Sequence, residues 1–264
     1  MSLYIWMVTL MSKKPVIIAF CGKGGVGKTS ISALSIRLLH ERYPDKKILA
    51  IDADPAIGLS TALGVNSSST VDDIRKLFIQ HASDGDSKAA LQILSEAKFQ
   101  LFDALVEIDN ISFLAIGRPE ASGCYCKVNA YLKEVIGLIA SNFDYVVIDG
   151  EAGIEQVNRR VMEKVTHLIL VSDASKKGIE VDKTIKKVAN ELVMYEKDGL
   201  ILNRVNEQVD VTKLDLSGLN LLSVIPDDKN MMMSDVEGKS IFDLDENTSI
   251  VKNTKVALEK LAIL

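Results

Sequence analysis

Residues 22–30 place glycines, lysines and a threonine at the spacing that binds phosphate groups. They read Gly-Lys-Gly-Gly-Val-Gly-Lys-Thr-Ser and fit the pattern G-x-x-x-x-G-K-[ST]. Glycines let successive backbone N–H groups point at phosphate oxygens, and the positive end of a following helix adds to the attraction. Lys28 is expected to reach the outer phosphates and Thr29 to ligate Mg²⁺. The motif, called the P-loop below, predicts a nucleotide site formed by Gly22, Lys23, Gly24, Gly25, Val26, Gly27, Lys28, Thr29 and Ser30.

Acidic residues follow two of the apolar runs that have the length of strands. In doubly wound sheets, ligands bind beyond the carboxyl ends of the strands, so these residues are candidates for chemistry. Asp149 is predicted to contact Mg²⁺, and Asp52 to help hold its shell. Asp54 is the candidate for orienting the attacking water. Asp52 and Asp54 have an alternative role as caps of the next helix.

Two further strand ends carry residues that suit recognition of adenine. Asn203 and Arg204 end one run, and Pro226 and Asp227 end the next. An amide side chain can pair with both a donor and an acceptor on the base. Turns also use Asn, Pro and Asp, so this prediction is the weaker one.

Cys124 and Cys126 form a C-x-C pair, whereas Cys21 is interpreted as a packing residue. Two thiols cannot complete a tetrahedral metal site, which needs four ligands. A two-fold dimer would supply the other two, and the small residues 121–123 would let two such loops approach. Spacing alone supports a metal site and incidental buried thiols about equally.

The elements that must position these residues alternate along the chain. Helical patterns separate near-continuous runs of Val, Ile and Leu, which favours a single α/β domain with a doubly wound, mostly parallel sheet. Residues 66–110 are predicted to add a helical layer. The predicted strands are 16–20, 48–51, 111–116, 145–148, 168–171, 199–202 and 221–225, and the predicted helices are 29–41, 70–80, 87–106, 128–141, 155–164, 177–195 and 248–262.

Composition limits the classes of function. The 264 residues are 47% hydrophobic and 25% charged, as in ordinary globular proteins, and the net charge of −5 argues against a general nucleic-acid binder. Residues 1–10 are apolar but too short to span a bilayer and lack a basic leader. We expect them to be an extension or a vector-derived scar, with the domain covering 11–264. A cytoplasmic protein without membrane attachment is expected.

The P-loop, the Asp-Ala-Asp-Pro and Ile-Asp-Gly-Glu-Ala-Gly-Ile-Glu segments, Asn-Arg and Ile-Pro-Asp-Asp occur in an order that resembles the deviant P-loop ATPases. That group includes MinD, ParA and the nitrogenase iron protein. The resemblance implies a homodimer that sandwiches ATP, with Lys23 reaching the partner's phosphates. A cation there would stabilise charge spreading over the transferred phosphoryl group.

Within that group, Arg-Pro-Glu-Ala-Ser-Gly-Cys-Tyr-Cys at 118–126 is similar to the nickel-insertion ATPases of carbon monoxide dehydrogenase, the CooC type. This resemblance implies ATP, Mg²⁺ and one Ni²⁺ or Zn²⁺ shared between two subunits through Cys124 and Cys126. It also implies a client, which is carbon monoxide dehydrogenase or acetyl-CoA synthase.

Two alternatives remain open from the sequence. Four thiolates at a dimer axis could hold an iron–sulfur cluster, as in a carrier or electron-transfer ATPase. A positioning ATPase of the MinD or ParA type would use its C-terminal helix on a membrane. The lysines and apolar residues of 251–264 are better explained by a helix packed on the sheet.

Overall fold

The computed structural model describes residues 14–54, 58–67, 69–83, 87–117, 126–150, 153–154, 157, 161 and 164–264. Its strands are β1 (Val16–Cys21), β2 (Ile48–Asp52), β3 (Val106–Ile108), β4 (Ile111–Ala115), β5 (Tyr145–Asp149), β6 (His167–Ser172), β7 (Lys197–Val205) and β8 (Leu221–Pro226). Its α-helices are α1 (Lys28–Arg42), α2 (Gly58–Leu63), α3 (Val71–Ser83), α4 (Ser87–Asp103), α5 (Cys126–Ala140), α6 (Lys176–Leu192), α7 (Lys229–Glu237) and α8 (Ser249–Lys260).

The eight strands form one sheet in the order β3-β4-β2-β5-β1-β6-β7-β8. All pairs are parallel except β3 with β4. From β1 the chain passes through β2 to β3 at one end of the sheet and returns through β4 and β5, which lie between those strands. It then adds β6, β7 and β8 in turn on the other side of β1. The connections that follow β1, β2, β5, β6 and β7 therefore leave the sheet at the same edge, where ligands bind in such folds.

Helices cover both faces of the sheet because the central strands are apolar on both faces. In β1, Ile18 and Phe20 face the core shared with α1, α2 and α8, whereas Ala19 and Cys21 face the core shared with α3 to α6. All four residues are fully buried. This double burial fixes β1 and, with it, the position of the P-loop that follows.

The seven predicted strands are confirmed, and so is the fold class. The predicted helical layer is confirmed as α3 and α4, whose Ala97 and Leu101 pack into the same core as α5. The C-terminal helix is confirmed as a core helix, since Val251, Ala257 and Leu258 of α8 are buried against the sheet.

Among the described residues, the short elements β3, α2 and α7 were not predicted, and neither were two 3₁₀-helices, Val211–Lys213 and Ile241–Asp243. Each has between three and nine residues, too few to show a clear period. Most of the predicted helix 155–164 and all of residues 1–10 lie outside the described residues.

Candidate functional site

The P-loop leaves the carboxyl end of β1 in a conformation that requires glycine. Gly22, Gly25 and Gly27 have φ values of 145°, 80° and 91°. A Cβ atom on Gly22 would lie 2.1 Å from the carbonyl oxygen of Val171, so the loop passes directly over the end of β6. The predicted phosphate cradle therefore has the backbone that its glycines indicated.

Helix α1 presents its amino end to this cradle. The helix begins at Lys28, no side chain caps its first turn, and that turn carries no acidic residue. Its first backbone N–H groups and its dipole therefore favour an anion. Lys28 is 7% exposed, and its Nζ atom donates to the carbonyl oxygen of Lys23 at 3.2 Å. The lysine expected to bind phosphate is thus held inside the loop.

Asp52 and Asp149 lie side by side at the carboxyl ends of β2 and β5, where they are register partners. Asp149 accepts a hydrogen bond from the Ser32 hydroxyl at 3.1 Å. Asp52 accepts one from the backbone N–H of Asp54 at 3.0 Å and one from that of Leu59 at 2.9 Å. Asp52 therefore holds the segment that leads from β2 into α2, which agrees better with the capping alternative than with direct ligation of a cation.

The carboxylates of Asp52, Asp54 and Asp149, called the acidic cluster below, repel one another at a place where Asp52 and Asp149 are buried. Burial raises the pKa of Asp52 to about 7, and the negative charge of Asp149 adds to the rise. Burial also raises the pKa of Asp149 to about 6, although the hydroxyls of Thr29 and Ser32 and the Lys28 ammonium oppose it. The charge of Asp54 raises both values, so all three predicted acidic residues lie close together.

The residues around Asp149 fit a magnesium ion. Its Oδ2 atom is buried and accepts no well-aligned hydrogen bond from a described residue. The Thr29 hydroxyl lies near enough to the carboxylate to lower its pKa. A buried carboxylate oxygen without a well-aligned donor, beside a hydroxyl and a phosphate cradle, is the hard oxygen ligand that Mg²⁺ prefers.

The four residues predicted to contact adenine are brought together. They line one cleft of about 190 Å³ beside the start of α1, formed by Ser30, Asn203, Arg204, Pro226, Asp227, Asp228, Met231, Met232 and Ile250. The Nδ2 atom of Asn203 donates to the carbonyl oxygen of Val26 at 2.8 Å, and Arg204 donates to that of Gly25 at 3.2 Å. Asn203 and Arg204 therefore tether the P-loop, a contact that the sequence did not indicate.

Asp228 is a residue of this cleft that the sequence reasoning did not assign. Its Oδ1 atom accepts from the backbone N–H of Asn230 at 3.0 Å, and its Oδ2 atom accepts from that of Ile250 at 3.2 Å. It therefore joins the starts of α7 and α8 at the wall of the cleft. In the sequence, the Asp-x-Asn spacing just before a helix was the feature that could have indicated this role of Asp228.

Lys23, which the sequence assigned to catalysis, forms an ion pair within its own chain. Its Nζ atom lies 3.1 Å from Oδ2 of Asp173, which directly follows β6. The side chains are 33% and 35% exposed.

The cysteine pair falls at the border of the described residues. Cys124 lies outside them, and Cys126 is the first residue of α5. Among the described residues, no group of three or more His, Cys, Asp and Glu side chains could hold a metal ion. The prediction of a shared metal site remains a prediction.

Comparison with known proteins decides the family. The model of the CobQ/CobB/MinD/ParA nucleotide-binding domain family matches residues 17–241, which include the P-loop, the acidic cluster and most of the cleft. The chain belongs to this family. It is a P-loop ATPase of the MinD/ParA type.

Two relatives show the range of names within the family. An uncharacterized ATP-binding protein of Methanocaldococcus jannaschii is 38% identical over 93% of this chain and 98% of its own length. The carbon monoxide dehydrogenase accessory protein CooC of Rhodospirillum rubrum is 27% identical over 86% and 89%.

A solved family structure is also similar. The septum site-determining protein MinD of Pyrococcus horikoshii, complexed with Mg-ADP, is 25% identical, with a TM-score of 0.66 over 94% of this chain and 97% of that one. In the part of our chain that is described, none of the helices has the length and apolarity to cross a membrane.

Proposed function

We propose that this ATPase is a metallochaperone that dimerises with ATP or metal and assists nickel insertion into carbon monoxide dehydrogenase or acetyl-CoA synthase. The observation that carries the proposal is the place of Cys126 in the fold. Cys126 begins α5, the helix that follows β4, and Ala115 at the end of β4 is the register partner of Asp52. The connection that ends at Cys126 therefore starts beside the acidic cluster of the nucleotide site.

The relationship with CooC of Rhodospirillum rubrum supports this choice of client. That protein is named as an accessory protein of carbon monoxide dehydrogenase, and its similarity extends over most of both chains. The cysteine pair gives this chain two soft ligands, and thiolates suit nickel and zinc better than they suit hard cations.

ATP would be bound and cleaved by residues of the described site. The P-loop amides and Lys28 would hold the phosphates, and Thr29 and Asp149 would hold Mg²⁺, which offsets the phosphate charge. Asp54 would orient the attacking water, while Asp52 holds the segment that carries it. Lys23 would cross to the partner's phosphates, where its charge stabilises the transition state.

The metal ion is the cargo in this proposal. Two cysteines from each subunit would make a four-thiolate site that exists only in the dimer. Hydrolysis would weaken the dimer, because the phosphate that Lys23 contacts across the interface is lost. Separation of the subunits would then halve the ligand set and release the ion to the client.

Equilibrium metal binding with mass analysis tests the proposal. The wild-type protein with ATP is expected to bind about half a nickel ion per chain, all of it in the dimer fraction. Cys124→Ala and Cys126→Ala are expected to abolish binding. Cys21→Ala is the matched control, because Cys21 is a buried thiol of β1 and its loss should leave nickel binding intact.

Two results would contradict the proposal. Tight nickel binding that survives the substitutions of Cys124 and Cys126 would show that the ligands lie elsewhere. A brown protein with iron–sulfur absorption after anaerobic reconstitution, combined with failure to bind nickel, would favour the carrier alternative instead.

A further inference from the structure

We propose that Asp173 is a positioning residue that holds the Lys23 ammonium within its own subunit and thereby opposes ATP-driven dimerisation. This inference rests on the proposed function, in which Lys23 acts across the dimer interface. The two residues are 150 positions apart, and Nζ of Lys23 donates to Oδ2 of Asp173 at 3.1 Å. They meet because β6 is the sheet neighbour of β1, with Leu170 as the register partner of Cys21.

The Asp173 carboxylate is held in place by groups that do not involve Lys23. Its Oδ1 atom accepts from the backbone N–H of Ser175 at 3.2 Å and from the hydroxyl of the same residue. That hydroxyl in turn accepts from the N–H of Gly178 at 3.0 Å and caps α6. The acceptor for Lys23 is therefore fixed to the start of a helix.

Gly178 supplies the space that this arrangement needs. A Cβ atom on Gly178 would lie 2.2 Å from Oδ1 of Asp173 and 2.7 Å from the hydroxyl of Ser172. Any larger residue would push the carboxylate away from its present position. The absence of a side chain at this point is thus a requirement of the Asp173 position.

The carboxylate of Asp173 is charged at neutral pH. Burial alone would raise the pKa of Asp173, but the Ser175 hydroxyl and the Lys23 ammonium hold that pKa below its usual range. Lys23 also touches the lysine that serves the nucleotide of its own subunit, since Nζ of Lys28 donates to its carbonyl oxygen. Both the ammonium and the backbone carbonyl of Lys23 are therefore held by residues of its own subunit.

Lys23 must leave Asp173 before its ammonium can reach a phosphate of the partner. Because both side chains are about one-third exposed, the pair is weak, and its loss is expected to change an equilibrium by about threefold. Formation of the dimer breaks two such ion pairs, one in each subunit. Removal of both pairs is therefore expected to change the dissociation constant of the dimer about tenfold.

Sedimentation velocity with a non-hydrolysable ATP analogue measures this effect on the full chain. Asp173→Asn keeps an acceptor for Ser175 but removes the charge. We expect the dissociation constant of its dimer to be about tenfold lower than that of the wild-type dimer. Gly178→Ala keeps the charge but displaces the carboxylate, and we expect a change in the same direction. Neither variant should alter the affinity of the monomer for ADP.

Asp215→Asn is the matched control. The Oδ1 atom of Asp215 accepts from the N–H and hydroxyl of Ser217, and its Oδ2 atom accepts from Nζ of Lys183 at 2.7 Å. It thus has the same local contacts as Asp173 but lies away from the P-loop. Its substitution is expected to leave dimerisation unchanged.

Substitution of Lys23 distinguishes the inference from the function on which it rests. Lys23→Ala should abolish dimerisation with the analogue, and adding Asp173→Asn should then have no further effect. If Lys23→Ala abolishes dimerisation but Asp173→Asn behaves like Asp215→Asn, the inference is wrong and the proposed function stands. If Lys23→Ala dimerises normally, the role of Lys23 across the interface is wrong and the inference fails with it.

Discussion

Asp182 is a carboxylate with no exposed surface, on the buried face of α6. Neither of its oxygens makes a well-aligned hydrogen bond with a described residue, and neither does the nearby hydroxyl of Ser172. Burial raises its pKa to about 7, against the opposing effects of the Ser172 hydroxyl and the Lys28 ammonium. Asp182→Asn keeps the shape of this side chain and removes its ionisation.

The direction of the effect follows from the raised pKa. The folded state keeps the proton up to about pH 7, whereas the unfolded chain releases it near the ordinary aspartate pKa of 3.8. The stabilisation from this proton is complete below that value and is lost as the pH rises through 7. Between pH 5 and pH 8, the free energy of unfolding should fall by about 2.5 kcal/mol on account of Asp182.

Urea denaturation of the nucleotide-free protein at pH 5, 6.5 and 8 measures this contribution. The Asn side chain adds an N–H donor that lacks a partner. This changes the free energy of unfolding by the same amount at every pH, so it does not affect how that free energy depends on pH. We therefore expect the stability of Asp182→Asn relative to wild type to increase by about 2.5 kcal/mol from pH 5 to pH 8. Asp45→Asn is the control, because Asp45 is an exposed residue of the loop between α1 and β2. Parallel pH curves for wild type and Asp182→Asn would refute the reasoning.

Two more substitutions test the nucleotide site. Magnesium is expected to raise the affinity of the wild-type protein for ADP, and Asp149→Asn should reduce this gain by at least about tenfold, because it replaces a charged oxygen ligand with a neutral one. Calorimetric titration of ADP with and without Mg²⁺ measures the gain. An unchanged gain in Asp149→Asn would contradict the assignment of Asp149 as a magnesium ligand. Gly22→Ala should destabilise the free protein by roughly 2–4 kcal/mol, because the new Cβ meets the carbonyl oxygen of Val171 at 2.1 Å in a backbone with φ of 145°. Gly24→Ala is its matched control within the same loop, since its Cβ would meet nothing within 4 Å, and equal losses in urea denaturation would argue against the clash.

The fold was predictable from local patterns because each of them repeats within a few residues. Buried strands appear as short apolar runs and helices as apolar positions three and four residues apart. The P-loop was equally readable, since its glycines and Lys28 act through their own backbone and the adjacent helix. The short elements β3, α2 and α7 were not predicted, because they contain too few residues to show a period.

Contacts between loops were decided by the order of strands in the sheet. Val26 and Asn203 are 177 positions apart, and they meet at 2.8 Å because the chain brings β7 close to β1. Lys23 meets Asp173 for a similar reason, and Asp182 becomes a buried carboxylate only because α6 packs against the sheet. None of these distances is encoded in spacing along the chain, since the same strands in another order would bring different loop residues together. The motif thus identified the nucleotide site, and the tertiary structure decided which residues contact the P-loop and which carboxylate pairs with Lys23.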